Sequence, residues 1–141
     1  MFKNAYLPLA IRIAGLIQLA IAASSLAIPG LLGWREDVAR LRPLTARVFW
    51  TYSGYILSTN VSFGLLSALM PERLAEHSPL AIAVAGFIAV YWLSRLVIQI
   101  TVFDRVESPR EPLFRIARLL YLTAFTSLAA VYSVTAITGL S

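Results

Sequence analysis

Hydrophobic residues along this chain neither alternate nor keep to one helical face. They gather in four long runs, at 7–28, 48–70, 80–103 and 119–140. Each run reaches about 20 residues, the length an α-helix needs to cross a hydrocarbon core at about 1.5 Å of rise per residue. Charge is nearly excluded from them. Arg12 lies in the first run and Arg95 in the third, and the other two carry none. Membrane strands need alternation over about 10 residues, which these runs lack. The pattern predicts an all-α integral membrane protein. Its fold class is a four-helix up-and-down transmembrane bundle, one domain over 1–141, with sequence neighbours antiparallel in space because the loops are short.

Proline and serine punctuate the runs. Pro29-Gly30 is expected to close the first and Met70-Pro71 the second, while Pro109 and Pro112 bracket the loop before the fourth. Ser78-Pro79 opens the third, with Ser78 as N-cap and Pro79 in the first helical position. Lys3 and Arg12 ahead of Ser25-Leu26-Ala27 also suit a signal peptide, but a run starting at Leu7 has spanning length and is read as a span.

The loop after the first run has a pattern of its own. Trp34, Val38 and Leu41 follow i, i+4, i+7 spacing, and Glu36 and Arg40 form an i, i+4 pair in the favourable order. This predicts a short interfacial helix in the headgroup layer, presenting Trp34, Arg35, Arg40, Arg42 and Arg47 as an anchor or a docking place for a partner.

Composition sharpens the membrane reading. The chain has 141 residues, 59% hydrophobic and 13% charged, against about 25% charged in soluble domains. Net charge is +5, which in a soluble protein raises the question of nucleic acid. Here the basic residues lie between apolar runs, so anionic lipid headgroups are the expected partners and nucleic acid is not. Arg35, Arg40, Arg42 and Arg47 fall in loop 29–47; Arg105, Arg110, Arg115 and Arg118 fall in 104–118. Only Lys3, Arg12 and Arg73 fall on the other side. The positive-inside rule then puts both termini outside and both Arg-rich loops in the cytoplasm, as in a bacterial inner (plasma) membrane.

Candidate chemistry is sparse. The chain has no cysteine and one histidine, His77, which removes thiol chemistry and haem held between paired imidazoles. No run contains an acid, and no GxGxxG, P-loop or Ser-His-Asp set occurs. No cofactor, metal or catalytic residue is expected. His77 with Glu72 and Glu76 offers three donors, but no ligand-spacing motif accompanies them.

Polar residues inside the runs are the leads, because they are costly in hydrocarbon unless satisfied. Arg95 and Gln99 share a helical face, with Tyr91 and Trp92 one turn earlier. Bonds from Arg95 to Gln99 and to loop carbonyls are one expectation, and an anion or headgroup site is the other. Asp104 and Glu107 are the nearest acids in sequence. Ser53, Asn60, Gly64 and Ser67 make one small-residue stripe; Gly54, Ser58 and Ser62 make another on nearly the opposite face. Two stripes predict a helix packed on both sides, with Asn60 bonded to Gln18 or Gln99. Tyr121, Phe125, Leu128 and Tyr132 form an aromatic stripe.

Three functions follow as expectations. The first is a non-enzymatic accessory, scaffold or lipid- or partner-binding component, as a homo-oligomer or with other membrane subunits. The second is a binder or carrier of a lipophilic or anionic small molecule (quinone, isoprenoid, lipid) between the second and third helices, near Tyr55, Asn60, Trp92, Arg95 and Gln99. The third is a membrane enzyme using Asp104 or Glu107, disfavoured because loop carboxylates among arginines are ordinary anions.

Overall fold

The computed structural model describes residues 3–103 and 111–141, with side chains from residue 5 onward. Asp104, Arg105, Glu107, Pro109 and Arg110, weighed above, lie outside the described residues. Every described element is a helix: α1 (Lys3–Ser25), α2 (Ile28–Leu31), α3 (Trp34–Ala39), α4 (Pro43–Leu69), α5 (Pro71–Ala75), α6 (Pro79–Thr101) and α7 (Pro112–Leu140).

Three helical stretches are long and apolar enough to cross a membrane: Ala5–Leu31, Pro79–Thr101 and Pro112–Leu140. The fourth expected span lies in α4, whose 27 residues give ample length. It falls short in apolarity because Ser53, Gly54, Ser58, Thr59, Asn60, Ser62 and Ser67 interrupt it.

The caps explain the boundaries. Ser78 accepts from the Ala81 backbone N–H at 3.2 Å and starts α6 as expected. Pro43 and Pro112 occupy first-turn positions of α4 and α7, where a missing N–H is no loss. Both helices therefore begin before the apolar runs do. The helix α1 ends at Ser25, earlier than expected, and Pro29 lies in the first turn of α2, which carries the apolar stretch on to Leu31. Gly33 takes a left-handed φ of 67° ahead of α3, a conformation that favours glycine.

Packing pairs α1 with α4 and α6 with α7, and α1 also touches α7. The α1–α4 seam is set by glycine. A Cβ on Gly15 would stand 2.5 Å from the Ala68 backbone nitrogen and 2.8 Å from the Gly64 carbonyl oxygen. Asn60, Gly64 and Ser67 are buried on this face. The second stripe departs from expectation: Gly54, Ser58 and Ser62 are exposed, so α4 is packed on one side rather than two.

The core gathers Ile88, Ala89 and Trp92 of α6, Phe125, Leu128, Ala129 and Tyr132 of α7, and Ala14 and Ile21 of α1. One hydrogen-bonded chain runs through it. The Trp92 indole N–H donates to Gln18 Oε1 at 3.1 Å, and Gln18 Nε2 donates to the Tyr132 hydroxyl at 2.5 Å. Tyr132 in turn lies 2.5 Å from Ser67 Oγ. Indole nitrogen can only donate, which fixes the glutamine's orientation and leaves the tyrosine proton for Ser67. All four long helices contribute one member.

Candidate functional site

At the end carrying α2 and α3 the long helices leave a gap. α4 and α6 share no backbone contact comparable to the other neighbouring pairs, and they meet through side chains instead. Phe63 lies edge-on to Phe87 and to Tyr91, at 5.9 and 5.3 Å between ring centres. The Tyr91 hydroxyl donates to Asn60 Oδ1 at 2.7 Å. Beyond this contact lies a cavity of about 650 Å³, walled by α1, α2, α3 and α4 and completed by Arg95 of α6 and Tyr121 of α7. That size falls within the usual range for small-molecule pockets, about 300–1,000 Å³.

Most of the wall is apolar, including Ile21, Leu26, Trp34, Trp50, Ile56 and Leu57. Two of the polar residues in it are already committed to their own helices: Ser25 donates to the Ala22 carbonyl at 2.7 Å and Ser53 to the Phe49 carbonyl at 2.8 Å. Such back-bonding is the ordinary state of a membrane hydroxyl. Tyr121 is held to α1 by Ser24 at 2.6 Å. Trp34 packs edge-on against Phe49, centres 5.5 Å apart, which draws α3 over the cavity mouth.

Arg95 is the exception. Its Nε is buried without a hydrogen-bond partner, so the expected pairing with Gln99 is not made at that atom. Its guanidinium carbon sits 5.5 Å from the centre of the Phe125 ring, an attraction worth about 0.5–2 kcal/mol. Arg95 lies six residues before the end of α6 at Thr101, so its cost falls below the roughly 2.5–3.5 kcal/mol of an arginine at mid-membrane. Among the described residues the ion pairs are Arg12–Glu72 and Arg73–Glu76. No described carboxylate reaches Arg95.

The sequence-derived site residues divide. Asn60 and Arg95 line the cavity together. Tyr55 does not; it is 68% exposed on the outer face of α4. Trp92 is fully buried in the core and spends its N–H on Gln18. Gln99 is half-buried and lies outside the lining. Of the interfacial set, Trp34 and Arg35 line the cavity, and Arg35, Arg40, Arg42 and Arg47 are all exposed. Leu41 is exposed too, and Arg40 ends α3 after six residues, so the expected helical face stops at Val38. Glu36 and Arg40 form no ion pair among the described residues.

Helical spacing sets Tyr91 beside Arg95, and the structure joins it to Asn60. Tyr121 of α7 and Trp50, ten residues before Asn60 on α4, were missing from the sequence-derived site. Near α5, Glu72 pairs with Arg12 at 3.1 Å and Glu76 with Arg73 at 3.4 Å. Accordingly no metal-sized group of His, Asp and Glu forms among the described residues. No cavity-lining residue is Asp, Glu, His, Cys or Lys. The arrangement can therefore bind and orient, and it offers no acid–base pair.

No family model, curated protein or solved structure matches the chain.

Proposed function

We propose that this protein is a non-enzymatic, four-span membrane component that holds a lipophilic small molecule of the lipid, isoprenoid or quinone class in the cavity walled by α1 to α4 and closed by Arg95 and Tyr121. The cavity carries this reading: a largely apolar hollow with few polar groups, at one end of a set of long apolar helices and capped by the short α2 and α3. α4 is taken as the fourth span because it runs beside α1 along a glycine seam and contains no acid. In this reading α2, α3 and the Arg-rich segments face the cytoplasm, and Arg40, Arg42 and Arg47 meet anionic headgroups.

Native mass spectrometry from a mild detergent tests the proposal. The wild type should release a bound amphiphile, and a Ser53→Trp, Leu57→Trp variant, which fills the hollow, should carry none. Equal retention by both would place the amphiphile elsewhere. A second reading, association with another copy or subunit, is favoured by the exposed Gly54, Ser58 and Ser62 stripe, since small residues let helices approach closely. Crosslinks between copies through Gly54→Cys in native membranes would support it.

A further inference from the structure

We infer that the cavity selects an amphiphile with an oxyanion head, a carboxylate or phosphate on an acyl or prenyl chain. Arg95 and the Asn60 amide hold the head, and Tyr91 positions that amide. The inference rests on the lipophile-binding reading above and adds the head group's chemistry.

Charge balance is the first ground. Arginine keeps its proton in any protein setting, yet α1, α4, α6 and α7 contain no aspartate or glutamate at all. Arg35 lines the same cavity but is exposed on α3 beside Glu36 and Asp37, so water and those acids answer its charge. Arg95 is thus the half-buried cation of the hollow, whose wall holds no acid. An apolar wall strengthens its field, and a neutral ligand would leave it unanswered.

Donor geometry is the second ground. The Arg95 Nε–H is buried without an acceptor. Asn60 is 2% exposed, and its Oδ1 is taken by the Tyr91 hydroxyl at 2.7 Å. The amide's remaining group is therefore Nδ2, a pure donor. With the Tyr91 hydroxyl donating to Oδ1, the amide keeps Nδ2 to donate. A half-buried cation and an amide donor, with no acid in the wall, suit an oxyanion, which accepts on every face. The apolar wall toward Trp34 and Trp50 suits the chain.

Three brominated probes of equal chain length test this on purified protein in a non-ionic detergent: a fatty acid, its phosphate-headed analogue and a neutral glycerol ester. Bromine on the chain quenches Trp34 and Trp50. Both anionic probes should bind about tenfold or more tighter than the ester, the ratio that one charge-assisted bond supplies. Arg95→Gln should bring that ratio near unity while ester affinity is unchanged, and Arg95→Lys should keep most of it. Tyr91→Phe should shrink the ratio several-fold, again without weakening the ester.

Inorganic phosphate alone should compete only weakly; competition equal to that of the lipid phosphate would show a free-anion site and overturn the amphiphile. Should all three probes bind the wild type alike, the head-group claim fails and the lipophile cavity stands. If none quenches, both readings fall. Where Arg95→Gln does not fold, Asn60→Asp supplies the second test: it sets an acid in the site and should abolish the anionic preference, and an unchanged ratio overturns the proposal.

Discussion

Gln18 is a neutral amide kept in a greasy core by using both of its ends. Its oxygen takes the Trp92 N–H and its nitrogen reaches Tyr132 and the Ala14 carbonyl. Gln18→Leu preserves much of the volume and strands the indole donor. It should destabilise the protein by roughly 1–2 kcal/mol, at the upper end of interhelical bonds in membranes, read from thermal unfolding in detergent. Tyr132→Phe should cost about 1 kcal/mol, since Ser67 can turn back to its own helix. That Gln18 and Asn60 bond between helices was legible in the sequence. Their partners were not, because Asn60 was matched to Gln18 or Gln99 and instead meets Tyr91. Partner choice depends on how far one helix slides along another, and spacing within a single helix carries no record of that slide.

Among elements, α4 has two faces that look alike in sequence and differ in space. Gly15 and Gly64 sit where α1 and α4 backbones touch, whereas a Cβ on Gly54 would meet nothing within 4 Å. Gly15→Ala should therefore cost about 1–3 kcal/mol by forcing the backbones apart. Gly54→Ala should be neutral or gain up to about 1 kcal/mol from helix propensity. Comparing the two unfolding midpoints checks the seam, and equal effects would refute it. Helix ends were legible wherever a cap was written in the sequence, as at Ser78. They were misjudged at Pro43 and Pro112, where the apolar run stops at Arg47 and Arg118 but the backbone continues helical through them. Hydropathy marks where oil ends, and hydrogen bonding continues beyond that point.

For the whole molecule, the membrane character of three helices follows from bulk apolarity and was plain in the sequence. The cavity was only half legible. Asn60 and Arg95 announced themselves as polar groups among apolar ones, but the wall from α2, α3 and α7 arises from the chain's return path. Orientation is open to direct measurement, since the chain has no cysteine to remove. With Glu76→Cys and Leu41→Cys as single labels, an impermeant maleimide should modify the first on intact cells and the second only after permeabilisation. The reverse pattern would invert the topology proposed here. The chain of bonds through the core also has a consequence for biosynthesis. Gln18 belongs to the first long helix, and its partner Tyr132 lies 114 residues later. At about 5–20 residues per second, the ribosome delivers that partner roughly 6–23 s after the amide has emerged. During that interval the amide nitrogen has only the Ala14 carbonyl of its own helix, and the oxygen waits for Trp92 of α6, so the bonding of Gln18 is completed only when α7 arrives.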